Sequence, residues 1–134
     1  MNLLTLPAVT TALPLTATPA VRFNAPPKSV KLQANFTYGS GGTSVDAYVQ
    51  TSIDGGTTWC DVANFHFTTA SARSVYAIIG DNASGAFTPT DGSIAANTYI
   101  AGLFGSLWRV KYTSSGTYAG GTALSVDMSS DQAP

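Results

Sequence analysis

The sequence predicts an all-β protein, an antiparallel β-sandwich of jelly-roll type with an extended N-terminal arm. Three observations carry that expectation. Several stretches alternate apolar and polar residues with a period of two, the spacing of a strand with one buried face. Turns rich in Gly and Ser separate those stretches. The string at 52–59, S-I-D-G-G-T-T-W, has the chemistry of a tight hairpin turn. At 134 residues the chain is long enough for one core. The expected division is an arm over 1–20 and a single sandwich over 21–134, with a small closed barrel as the runner-up architecture.

Taken in order, residues 1–20 carry no charge and hold Pro7, Pro14 and Pro19. Prolines at that spacing forbid a long helix. Disordered tails are polar and charged, whereas this segment is apolar, so it is expected to lie on a surface, its own sheet or a neighbouring subunit. The neighbour is preferred, with Leu3, Leu4, Leu6, Val9, Leu13 and Leu15 as interface residues. After Pro26-Pro27, Val30, Leu32, Ala34, Phe36 and Tyr38 share one face, and Lys31, Gln33, Asn35 and Thr37 the other. Val45, Ala47, Val49, Thr51 and Ile53 repeat the pattern up to the hairpin turn, and the chain returns from Trp59 to about Phe67. Further strands are expected at 74–79, 99–104, 107–113 and 122–128. The stretch 80–98 is too long for an ordinary connection, which makes it a contact surface, with Phe87 and Ile94 as its apolar contacts.

Composition narrows the function. Only 10% of residues are charged, the seven acids are all Asp, and 18 Thr and 14 Ser supply much of the surface polarity. Thr favours strands, whereas Glu and Lys favour helices. The six basic residues are scattered singly and the net charge is −1, so the clustered positive footprint of a nucleic-acid-binding protein is missing. A nearly neutral surface gives little protection against association, which favours a homo-oligomer or a surface hidden in an assembly. No apolar run approaches a membrane span. The N-terminus lacks a basic signal-peptide region, so synthesis in the cytoplasm is expected. Cys60 is the single cysteine; it excludes an intrachain disulfide and reads as a buried, inert thiol.

The search for reaction chemistry assigns no catalytic residue, no metal and no cofactor. His66 is the only His and stands between Phe65 and Phe67, with no G-x-S-x-G elbow in the chain. Zinc would need clustered His or Cys, and adjacent Cys60 and Asp61 point to opposite faces of a strand. Asp81, Asn82 and Asp91 share one loop and are the only oxygen set with the makings of a calcium site. Paired carboxylates for glycoside hydrolysis are not evident. Tyr48, Tyr76, Tyr99, Tyr112 and Trp108 are possible sugar platforms, more simply read as core or strand-pair aromatics.

The 52–59 string fits the Asp-box pattern S/T-x-D-x-G-x-T-W, with Ser52, Asp54, Gly56, Thr58 and Trp59 at its fixed positions. Asp54 is suited to accept turn N–H groups, the glycines supply positive φ, and Trp59 is expected to fill the core. Asp-boxes occur in sialidases and many other β-proteins, usually away from the catalytic centre. Residues 45–65 (VDAYVQTSIDGGTTWCDVANF) and 107–128 (LWRVKYTSSGTYAGGTALSVDM) together resemble small virion proteins of tailed bacteriophages. The resemblance covers about a third of the chain. It implies a non-enzymatic structural subunit of the virion, first of all a capsid decoration or cement protein bound to the major capsid protein or other virion proteins. A head–tail or tail component is an alternative, and a carbohydrate-binding or adhesive module is the reading from a different class.

Overall fold

Alternation at period two becomes strand, and the chain passes from one sheet to the other at almost every connection. A computed structural model describes residues 1–80 and 85–134. Among the described residues eleven strands are formed: β1 Asn2–Leu6, β2 Thr16–Ala17, β3 Val21–Arg22, β4 Ser29–Thr37, β5 Ser40–Gly41, β6 Ser44–Ser52, β7 Cys60–Phe67, β8 Ala72–Ile79, β9 Leu107–Ser115, β10 Tyr118–Ala119 and β11 Ala123–Ser130. Sheet I has the order β1-β11-β4-β8, and sheet II the order β2-β9-β6-β7 with β3 also on β9. The pairings of these strands are antiparallel. Setting aside the short β3, β5 and β10 leaves eight strands, ordered first-eighth-third-sixth and second-seventh-fourth-fifth. That is the strand order of a jelly roll, so the expected fold class is the observed one.

The core lies between the sheets. Sheet I contributes Val30, Leu32, Ala34 and Phe36 from β4 and Leu124, Val126 and Met128 from β11. Sheet II contributes Val45, Ala47 and Val49 from β6, Phe65 and Phe67 from β7, and Trp108 and Val110 from β9. Phe36 stacks on Phe67 across the gap at 5.0 Å. Trp108 is fully buried, and its indole N–H donates to the Gly105 carbonyl at 2.9 Å. Gly105 itself packs against the end of β6, where only glycine fits: a Cβ there would sit 1.9 Å from the Ser52 carbonyl oxygen.

The segment 1–20 corrects the expectation of an arm held by a neighbour. Its first half is β1, which pairs with β11 from Asn2↔Asp127 to Leu6↔Leu124. Its second half reaches sheet II, where β2 pairs with β9. Leu3, Leu4 and Val9 lie in the core, Leu6 packs against it, Leu13 is half-buried, and only Leu15 is exposed among the six residues assigned to an interface. The Leu13 carbonyl accepts from the Thr113 hydroxyl. Residue 20 is therefore no domain boundary. The apolar segment finds its surface on both open edges that β11 and β9 would otherwise present.

One strand expected from the sequence is replaced by something else. Residues 99–104 form no strand; Tyr99 makes an isolated bridge to Ala63, and Phe104 packs edge-on to Trp108 at 5.2 Å. A β-bulge also interrupts β7. Val49 faces Ala63 but Gln50 faces Asp61, leaving Val62 as the extra residue. A bulge shifts the in–out phase by one, so Phe65 and Phe67 point inward while Asp61 and Trp59 turn to the outer face.

Candidate functional site

The Asp-box turn closes the β6–β7 hairpin as its residue types require. Ser52 donates through Oγ to Asp54 Oδ1 at 2.9 Å and accepts from the Gly56 N–H at 2.9 Å. Asp54 Oδ1 accepts the Thr58 N–H at 2.9 Å, and Oδ2 accepts the Thr58 hydroxyl. Gly55 and Gly56 have φ of 75° and 95°, in the left-handed region that suits glycine. The Thr58 hydroxyl, the Thr58 N–H and Ser52 hold the Asp54 carboxyl down at about 2, against an ordinary 3.8. The three polar side chains of the motif, Ser52, Asp54 and Thr58, therefore all serve the turn. Trp59 does not fill the core as expected. It is half-buried on the outer face of sheet II, where the Arg109 guanidinium stacks over its ring at 4.2 Å. The fully buried tryptophan is Trp108.

The most elaborate polar constellation lies beside that ring, on residues that strand alternation presents as ordinary surface. Residues 90–100, in the connection between β8 and β9, fold back across the outer face of sheet II as a strap. Three backbone bonds stitch it to the edge of β7: Asp61 N–H to Thr90 carbonyl (2.8 Å), Asn64 N–H to Thr98 carbonyl (2.9 Å) and Ile100 N–H to Val62 carbonyl (2.7 Å). Beneath it the Asp61 carboxylate is buried. It accepts the Gly92 N–H at 2.8 Å, the Ser93 N–H at 2.9 Å, the Ile94 N–H at 3.1 Å and the Thr90 hydroxyl at 2.8 Å. Successive backbone N–H groups of this kind form an anion-holding nest, and the anion is the chain's own side chain.

Gln50, also buried, ties this nest to the surface charges. Its amide donates to Asp61 at 2.8 Å and to Asp91 at 2.7 Å, and its carbonyl accepts from Arg109 Nε at 2.8 Å. Lys111 closes on Asp91 at 2.9 Å. Burial works to raise the Asp91 carboxyl, but the Lys111 and Gln50 hydrogen bonds outweigh it and hold it below the usual carboxylate range. A second pair lies farther along the hairpin: His66 Nδ1 is 2.8 Å from Asp46 Oδ1, and Asn64 Nδ2 donates to the same oxygen at 3.2 Å. Among the described residues no hydroxyl hydrogen-bonds His66 Nε2, so the pair is a cross-strand ladder contact.

Ile94 is half-buried at the nest, so it is a strap residue, while Phe87 is exposed ahead of the strap. Of the five possible sugar platforms, Trp108 is in the core, Tyr76 and Tyr112 pack against it, Tyr48 is half-buried, and Tyr99 is exposed. Tyr99 lies 5.7 Å from Tyr76. Burial, with the Asp54, Asp61 and Asp91 charges behind it, pushes the Cys60 thiol up, away from the reactive thiolate. Asp81 and Asn82 lie outside the described residues, and Asp91 is committed to Lys111 and Gln50. Among the described residues no three His, Cys or Asp side chains converge on a metal position, and no helix is long and apolar enough to cross a membrane.

Sequence reasoning passed over Asp61, Gln50, Arg109 and Lys111. Their only sequence signal was the long connection itself, which had to cover something. Fold and site together define a class, an all-β sandwich of jelly-roll order with one sheet roofed by a latched strap. Comparison with models of protein families, with curated proteins and with solved structures found no match to any of them.

Proposed function

We propose that this chain is a non-enzymatic structural subunit of a bacteriophage virion, serving as a capsid decoration or cement protein. The observation that carries this reading is the adjacency of the two segments that resemble phage virion proteins. The strand β6 lies between β7 and β9, so 45–65 and the start of 107–128 build one continuous three-stranded unit. The jelly-roll order is a fold that viral capsid proteins use; that support is fold-level analogy. The polar clusters add to it, because Asp54, Asp61 and Asp91 are each engaged in holding a turn or the strap. Since 1–20 is built into the sheets, binding to a capsid partner falls to the exposed face of sheet I and to the segment around Phe87.

Jelly rolls also include lectins, and the exposed Tyr99 ring backed by Tyr76 favours a glycan-binding module. Mass spectrometry of density-gradient-purified particles from the source lysate separates the two. The expected result is that peptides of this chain co-band with the major capsid protein at a fixed ratio and rebind stripped particles as recombinant protein. Peptides confined to the soluble fraction would overturn the reading.

A further inference from the structure

Edge strands are templates for pairing, and folded proteins protect them. Among the described residues three of the four sheet edges are protected. The strand β1 is five residues long with a register irregularity between Asn2 and Leu4. β2 and β3 are two residues each, between prolines. β7 is covered by the strap. The fourth edge, β8, has none of these devices. It runs eight residues, ARSVYAII, in unbroken register with β4 from Phe36↔Ala72 to Ser29↔Ile79, and it ends sheet I. It contains no Pro, Lys or Asp. Its outward row is Arg73, Val75, Ala77 and Ile79, with Val75 54% and Ile79 53% exposed.

We propose that β8 pairs antiparallel with β8 of a second copy of this chain about a two-fold at Ala77, joining two four-stranded sheets into one of eight strands. The strand's self-complementarity selects this occupant. With Ala77 opposite Ala77 of the second copy, Val75 faces Ile79 twice, so the apolar rows of both copies merge. An even register keeps outward residues with outward residues, as a one-residue slip would not. Eight strands is within the size of ordinary open sheets. The pairing is the isologous form of strand addition. It stands whether or not the subunit belongs to a virion.

Sedimentation equilibrium of the full chain tests it with Val75→Asp, Ile79→Lys and the double variant, circular dichroism confirming the fold of each. Wild type is expected to dimerise. Each single substitution sets a charge directly opposite an apolar side chain at two symmetric places and is expected to raise the dimer dissociation constant about tenfold. The double variant sets the introduced carboxylate of one copy opposite the introduced ammonium of the other and is expected to regain most of that loss. A monomeric wild type, single variants that dimerise like wild type, or a double variant weaker than both singles would each overturn the proposal.

Discussion

The outer faces of the two sheets carry the same kinds of residue and end in opposite states. On sheet I, Lys31, Gln33 and Asn35 of β4 and Ser125, Asp127 and Ser129 of β11 stay half-buried or exposed, around a shallow groove of about 330 Å³ between Met1 and Val75. On sheet II, Gln50, Asp61 and Asn64 are 0 to 1% exposed. The difference lies in what crosses each face. Sheet II receives the strap, whose N–H groups replace the water that its polar side chains would lose. Burial of polar residues is tolerable only with such replacement. The lesson is that alternation marks which residues leave the core, and not whether they reach solvent.

The largest expected effect concerns both sheets equally. Deleting residues 1–20 removes β1 and β2 and the buried Leu3, Leu4 and Val9. At about 1.5–3 kcal/mol for each buried chain, that loss is comparable with a typical domain stability of about 5–15 kcal/mol. Circular dichroism is expected to show an unfolded or aggregated product; a truncated protein melting like the full chain would mean the segment is an arm after all.

Much of this architecture was legible. The strands β4, β6, β9 and β11 follow from their alternation, and the β6–β7 turn from S-I-D-G-G-T-T-W. Two things were hidden for physical reasons. Apolar residues between prolines say that 1–20 wants a surface, but the choice between its own sheets and a neighbour depends on distant edges, on β11 and β9. The inversion of Trp59 depends on the bulge at Val62, a single unpaired residue with no signature in the local sequence. The candidate site was less legible than the fold, because the Asp61 nest joins residues about thirty positions apart through backbone groups that any sequence possesses.

Within sheet II the two tryptophans separate core from roof. Trp108→Ala is expected to cost about 3–5 kcal/mol. Trp59→Ala is expected to cost about 1–2 kcal/mol, the range of a partly desolvated cation–π contact. Urea denaturation of both variants checks the ranking, and equal costs would contradict the bulge.

Two glutamines compare the outer faces directly. Gln50→Ala strips partners from Asp61, Asp91 and Arg109 and is expected to cost about 2 kcal/mol. Gln33→Ala, on the open face, is expected to stay within about 0.5 kcal/mol. Similar values from chemical denaturation would remove the distinction between a roofed and an open face.

The smallest expected effect is that of acid. The folded state lowers the carboxyls of Asp54, to about 2, and of Asp91 and Asp131. A lowered folded pKa favours the charged form, so its contribution is fully present above the ordinary 3.8 and is lost as pH falls through about 2. The urea midpoint is expected to fall between about pH 4 and pH 2, and Asp54→Asn is expected to flatten part of that slope.

The latch itself is open to one direct measurement, hydrogen exchange at single-amide resolution in wild type and Asp61→Ala. In wild type the Gly92, Ser93 and Ile94 amides are expected to be protected like strand amides although they lie in a loop. In Asp61→Ala that protection is expected to vanish while the amides of Leu32 on β4 and Val49 on β6 keep theirs. Free exchange of Gly92, Ser93 and Ile94 in the wild-type protein would contradict the account of a strap held by its own carboxylate.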